Sequence, residues 1–213
     1  MAKRTATTAN AILGLLALRR EWSTWELTTQ LRRNLRFFWP RTESQIYAEV
    51  KALVGRGWAR DRQTFVGRRA RTSYTISAAG RRALAAWLAT PPKATALECE
   101  PLLRIFLADF NTLDQLHVAL AQIRADADAI LNVGRVVGAE YLAGDAPFQD
   151  QVHVRALVFD FLSSHALMLH GWADRSEAVI RDWDRTSTRS KTRAAIDAIA
   201  ATLELYPDPA AID

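Results

Sequence analysis

Residues 42 to 76 carry two patterns back to back, and few folds accommodate both. In TESQIYAEVKALVGRGW, Ile46, Val50, Leu53 and Val54 fall on one side of a helix, and Ser44, Tyr47, Ala48 and Lys51 fall on the other. Gly55 and Gly57 supply a C-terminal stop, and Trp58 onward reads as a strand. GRRART then leads into the apolar-alternating SYTI, which closes a basic hairpin. A helix with one apolar face followed at once by such a hairpin can place a small, polar surface in a major groove and cations on the adjoining backbone. The segment therefore points to a reader of duplex DNA rather than to a catalyst.

The helix start signals around it are explicit. Thr42 and Gln45 have the spacing of a capping box, as do Ser23 and Glu26, where a hydroxyl accepts from the amide three residues on and the longer side chain reaches back. Leu27 and Leu31 mark the buried stripe of the helix after Ser23, which must end before Pro40. An earlier helix is predicted from near Thr8, with Ile12, Leu13, Leu16 and Ala17 recurring at helical spacing. The hairpin tip is expected at Arg68, Arg69 and Arg71, with a return strand from Ser73 to Ile76. Ser77 caps a fourth helix whose Leu84, Trp87 and Leu88 should close the domain. Three helices, a hairpin and a further helix make a winged helix-turn-helix over residues 1–92.

Charge divides the chain at Pro91 and Pro92. Residues 1–92 hold 17 Lys+Arg against 5 Asp+Glu, and residues 93–213 hold 11 against 18. The basic part attracts a polyanion at long range, whereas the acidic part is a poor second nucleic-acid surface. After the prolines the pattern is wholly helical, near Glu98 to Phe110, Leu113 to Tyr141, Gln151 to Trp183 and Ser187 to Leu205. The fold class is thus mainly α: a winged helix-turn-helix followed by an all-helical domain over residues 93–213. In the third of these helices Val154, Leu157, Val158, Phe161, Leu162, His165, Met168, Leu169 and Trp172 keep a three-and-four spacing for five turns. Two long amphipathic helices joined around Gly144 to Pro147 suggest an antiparallel hairpin able to pack on its copy in a second chain. Leu157, Val158, Phe161, Leu162 and Leu169 are the candidate dimer residues.

Several other chemistries find no support. One cysteine, Cys99, excludes an intrachain disulfide and a thiolate zinc site, which fits a reducing cytoplasm. The uncharged run from Thr5 to Leu18 is short of the roughly 20 apolar residues that cross a bilayer, so it reads as a buried first helix and no membrane partner is expected. His165 and His170 are five apart and miss the i, i+4 spacing of helical metal ligands; His117 and His153 add no such pair, and no metal or cofactor is expected. Asp126 and Asp128 lie on different helix faces. No nucleophile elbow, phosphate loop or dinucleotide fingerprint occurs, so no enzyme activity is expected.

Taken in order, AILGLLAL, the Phe38, Trp39, Pro40 step, Gln45, Ile46 and Tyr47 with Leu53 and Gly57, the closure from Tyr74 through Ile76 to Gly80, and more loosely PLLRIFLADF resemble the PadR family of bacterial transcriptional regulators, in its larger subgroup with a long helical C-terminal domain. That resemblance implies a homodimeric winged-helix repressor, paired through its C-terminal helices and often responsive to a small aromatic or hydrophobic molecule. The DNA-contacting role then falls on Thr42, Ser44, Gln45, Tyr47 and Lys51 in the third helix and on Arg68, Arg69 and Arg71 in the wing. No effector motif carries over.

Each assignment has a plainer rival. Tyr47 fits a place against the wing as well as one against a phosphate. The wing arginines repel one another unless a counter-charge is near, and phosphate is the expected one, or an A·T-rich minor groove. Trp172 and His165 are the candidate effector residues, although aromatic stripes are generally buried and His165 sits on the apolar stripe. For the whole protein, the reading is a repressor on a pseudo-palindromic operator. The rival is a winged-helix module that docks on protein partners without binding an operator.

Overall fold

In the computed structural model, which describes residues 2–66, 69–186 and 192–207, the chain forms two compact units, Met1–Ala96 and Leu97–Asp213. The first unit runs α1 (Ala2–Leu18), β1 (Trp22–Ser23), α2 (Thr24–Leu35), α3 (Glu43–Gly55), β2 (Ala59–Val66), β3 (Arg69–Ile76) and α4 (Ala78–Leu88). Helix α1 starts six residues ahead of the expected Thr8, because alanine and threonine with no glycine or proline let the helix run on. Ile12, Leu13 and Leu16 of α1, Trp22 of β1, Leu27 of α2 and Leu53 of α3 are fully buried and form the core of this unit.

The sheet is antiparallel with strand order β1-β3-β2. Strand β1 was not foreseen, since two residues are too few to show an alternating pattern. The return strand starts at Arg69 instead of Ser73: Val66 pairs with Arg69 and Thr64 with Arg71, so positions 69 and 71 belong to the ladder rather than to the tip. An exposed ribbon tolerates arginine on one face because the ladder is a backbone matter. Between the paired ends lie Gly67 and Arg68, which are outside the described residues.

Helix α4 packs against α1 and is anchored at its first turn. Ser77 Oγ accepts from Gly80 N at 3.0 Å and donates to the Gly57 carbonyl at 2.6 Å. A β-carbon on the buried Gly80 would stand 2.1 Å from the Trp58 carbonyl oxygen, so only glycine permits this approach. Trp87 and Leu88, expected to close the domain, are exposed, and Leu84 is half-buried. With the first turn docked, rotation along the helix carries its end off the core.

The second unit comprises α5 (Glu100–Phe106), α6 (Leu113–Ala143), α7 (Val152–Ile180) and α8 (Thr192–Leu203), with short 3-10 turns at Ala108–Phe110 and Gln149–Gln151. Thr112 caps α6 by accepting from Gln115 N, and Gly144 ends it in the left-handed region with φ of 80°. Residues 187–191, where the last helix was expected to begin, are outside the described residues.

Helices α6 and α7 form the expected antiparallel hairpin. Its seam, however, is not the long apolar stripe. Ala166, Ala173 and Ile180, seven residues apart, are the buried positions of α7, and they face a unit core that includes Leu116, Ala119, Leu120, Ile123 and Ala127 of α6. Polar pairs flank the seam: His117 Nδ1 with Glu177 at 2.8 Å, Arg124 with Asp174 at 2.5 Å, and His170 with Asp128 at 3.4 Å and Asp174 at 3.2 Å. Val154, Leu157, Val158, Phe161 and Met168 of the stripe remain exposed, and Leu162, His165, Leu169 and Trp172 are half-buried.

Candidate nucleic-acid interface

Helix α3 is built from its cap upward. Gln45 N donates to Thr42 Oγ1 at 3.3 Å, Thr42 N donates to Gln45 Oε1 at 3.1 Å, and the Thr42 and Ser44 hydroxyls lie 3.0 Å apart. The capping box read from the sequence is therefore closed. It also costs the site something: Thr42 and the Gln45 carbonyl are occupied by the helix itself. Ser44, Tyr47, Ala48 and Lys51 form the exposed face, opposite buried Ile46, Val50 and Leu53.

Buttresses the sequence did not disclose hold α3 in place. Arg32 of α2 reaches Glu43 at 2.9 Å, and buried Glu49 pairs with Arg56 at 3.2 Å. Thr8 Oγ1 accepts from both Trp39 Nε1, at 3.2 Å, and Arg41 Nε, at 3.1 Å. The Arg41 guanidinium also lies 4.4 Å from the Trp39 ring centroid. The turn between α2 and α3 is thereby pinned to α1.

In the wing, Arg62 stands opposite Ser73 and Arg60 opposite Thr75, while Thr64 stands opposite Arg71. Alternation puts Arg60, Arg62 and Arg71 on one face of the ribbon and Asp61, Phe65 and Tyr74 on the other. Position 69 lies in β3, but its side chain is not among those described, and Arg68 is outside the described residues altogether.

Two of the wing arginines also have counter-charges within the chain. Arg71 Nη2 lies 3.4 Å from Glu26 Oε2, and Arg62 Nη2 lies 3.1 Å from Glu21 Oε1. Both carboxylates have other donors. Glu26 accepts from Ser23 N at 2.8 Å and from Ser23 Oγ at 2.6 Å, and Glu21 accepts from the Ser73 hydroxyl. Accordingly the Ser73 hydroxyl, aided by Arg62, holds the Glu21 carboxyl below its ordinary value. For Glu26 the Ser23 hydroxyl and amide do the same, with smaller help from Arg71 and Arg19. These partners are 41 and 45 residues apart in sequence, so no local pattern announces them.

In the second unit, Phe161 and His165 stack with centroids 6.2 Å apart. Trp172 and Trp183, both partly buried, pack against the buried cluster of Leu116, Leu120 and Ile180. An open groove of about 400 Å³ between α5 and α6 is lined by Glu100, Arg104, Gln115 and Asp126 among others, and neither Trp172 nor His165 borders it. Among the described residues no three His, Cys, Asp or Glu side chains converge as a metal site.

No protein-family model matches the chain. It is 37% identical over 79 residues, 37% of its length, to the negative transcriptional regulator PadR of Bacillus subtilis, and that match spans 43% of PadR. The solved structure of the same PadR with operator DNA matches at a TM-score of 0.65 and 24% identity, covering 81% of this chain and 98% of that one. Its complex with p-coumaric acid matches at 0.62 and 22%, covering 84% and 97%. The Streptococcus mutans protein smu.1604c matches at 0.70 and 18%, covering 80% and 98%. The Vibrio cholerae virulence activator AphA matches at 0.61 and 19%, covering 82% and 98%. The chain is thus similar to PadR-like transcriptional regulators in sequence over part of its length, spanning less than half of the curated relatives it matches, and it shares the fold of the solved PadR structures over about four-fifths of its length.

Proposed function

We propose that the chain is a sequence-specific DNA-binding transcriptional regulator without enzymatic activity, acting in the cytoplasm as a homodimer on a pseudo-palindromic operator. One observation carries this reading: the exposed Ser44, Tyr47, Ala48 and Lys51 face of α3 stands in the same unit as a ribbon with Arg60, Arg62 and Arg71 on one face. The unit's excess of cations supplies the long-range attraction. The fold of a PadR solved on operator DNA supports it further.

Ser44, Tyr47 and Lys51 read base edges in the major groove, and the wing arginines grip the backbone. Thr42 and Gln45 serve first as the helix cap, and what remains of their polar atoms joins the contact. Repression by occluding a promoter is the favoured sign, since the curated relative is a negative regulator. The fold itself does not decide the sign, because AphA is an activator.

A second copy of the chain is the occupant of the exposed stripe of α7. Leu157 is 70% exposed and Phe161 61%, and Val158, Leu162 and Leu169 continue their face. By length and composition α7 could also cross a bilayer. Its pairing with α6 through Arg124, Asp128, His170 and Asp174 favours the hairpin instead, since those groups would be costly in hydrocarbon. A small aromatic or hydrophobic effector, the chemistry of the p-coumaric acid seen with PadR, would act on the helical unit. Trp172 and His165 are proposed to sense it. It would release DNA only by binding differently to two spacings of the recognition helices.

Binding of labelled duplexes across a range of salt concentrations tests the reading. A steep loss of affinity with salt, together with protection of a pseudo-palindrome whose half-sites lie about one helical turn (~34 to 36 Å) or a multiple apart, is the expected result. Salt-insensitive or absent binding would sink it in favour of a protein-docking module.

A further inference from the structure

Glu21 and Glu26 both pair with arginines on the arginine face of the wing. The first 92 residues contain five acidic side chains. Four of them, Glu21, Glu26, Glu43 and Glu49, are placed against arginines. Two of those pairs lie at α3, one tying it to α2 through Arg32 and the other linking Glu49 to the Arg56 that ends the helix. The other two take cations from the ribbon face proposed to grip DNA.

The two partners in each wing pair are not equally free to move. Glu26 is held by the amide and hydroxyl of Ser23, and Glu21 by the hydroxyl of the buried Ser73. Their arginines are the more exposed members, at 69% for the Arg62 side chain against 38% for Glu21, and 54% for the Arg71 side chain against 34% for Glu26. A phosphate arriving at the ribbon therefore meets guanidinium groups more exposed than the carboxylates that hold them. Each transfer breaks an ion pair and leaves a carboxylate beside the new phosphate, although Arg19, 4.0 Å from Glu26, would still partly offset that one.

We propose that Glu21 and Glu26 are internal competitors of the DNA backbone, holding Arg62 and Arg71 in the free protein and releasing them to phosphate at a cost that limits the wing's grip on any duplex. The proposal rests on the DNA-binding reading above. Its consequence is an affinity set low by design of the ribbon, with sequence preference unchanged, because base contacts from α3 lie outside the exchange.

Glutamine is the informative replacement, since it keeps the hydrogen-bond acceptor for Ser73 and, at position 26, the capping box, while removing the charge. Full-length Glu21→Gln and Glu26→Gln proteins are titrated with a labelled duplex of scrambled sequence at several salt concentrations. Each should bind about three- to fivefold tighter near 0.15 M salt, the scale of a surface ion pair, with a salt slope steeper by up to about 1. In an Arg62→Ala background the gain from Glu21→Gln should disappear.

Unchanged or weaker binding by Glu21→Gln would mean that the pair is a clamp that steadies the wing, and the proposal would be overturned. A gain that persists without Arg62 would reduce it to general charge repulsion, which also overturns it. Should Glu26→Gln lower the melting temperature, Glu21→Gln, which lies outside any helix cap, decides alone. Wild-type protein that binds no duplex in a salt-dependent way removes the DNA-binding reading itself, an outcome separate from failure of the glutamine variants alone.

Discussion

The two units solve the problem of burial in opposite ways. The first surrounds large side chains on all sides: Trp22, Ile12, Leu13, Leu16, Leu27 and Leu53 are fully buried within one chain. The second spends alanines at the α6 and α7 seam and leaves Leu157, Phe161 and Met168 in water. On α8, Ile196, Ile199 and Leu203 are also exposed at helical spacing. The first unit thus encloses a core of large side chains while leaving Trp25, Phe65 and Leu88 scattered in water, whereas the second leaves a continuous apolar stripe along one helix uncovered. Large contiguous apolar faces are rare on monomers and mark interaction sites.

Mutations can break that contrast. Trp22→Ala should be the most damaging change, costing about 3 to 5 kcal/mol because the cavity it opens is enclosed by a finished core. Urea titration followed by circular dichroism should show it, and a loss below about 1 kcal/mol would mean that the first unit is as open as the second.

Phe161→Ala is the counterpart with the same logic reversed. It should leave the stability of a dissociated chain within about 0.5 kcal/mol, as expected for a surface change. The double variant Leu157→Glu with Phe161→Glu should convert a species of twice the 23.8 kDa chain mass into single chains on sedimentation. Intact dimers in that variant would move the interface off α7.

Gly80→Ala comes next, at about 1 to 3 kcal/mol, the range for overpacking against a contact that must shift. The test is sharp because the contact is backbone, the Trp58 carbonyl. Thr42→Ala should cost about 1 kcal/mol by removing the α3 cap. It should weaken operator binding more than stability if the N-terminus of α3 sits at the groove.

The smallest effect concerns acid. Glu21 and Glu26 have carboxyl groups lowered in the folded protein. Their contribution is present above the ordinary carboxylate value and is lost as pH falls through the lower folded one. Relative to wild type, Glu26→Gln should therefore show a weaker loss of stability in that acid window, measured by thermal melts at stepped pH. An identical acid profile would place the carboxylate outside the stabilising network.

Much of the first unit was legible because its signals are local. Ser23 with Glu26, Thr42 with Gln45 and Ser77 with Gly80 each bond within three residues, and a cap can be read at that distance. Ile46, Val50 and Leu53 obey one helical period and were buried as read. What escaped notice is long-range or quantitative. Arg62 with Glu21 and Thr8 with Trp39 and Arg41 depend on the fold having already formed. The start of the return strand is not legible because arginine is common in loops, whereas the strand is set by pairing with β2. In α7 the period was right but the choice of seam was not, since alanine carries little hydrophobic signal and gains its place by allowing close approach.

That alanine seam limits how the hairpin can move. Ala166 and Ala173 are fully buried on that face, so turning α7 on its axis would drive the larger Leu162, His165 or Leu169 into places now filled by a methyl group. Sliding it would separate His117 from Glu177 and Arg124 from Asp174 together, with no intermediate register to fall into until a full turn had passed. The hairpin should therefore behave as a stiff strut: any signal that crosses the helical unit travels as a tilt of both helices together, with their mutual alignment preserved.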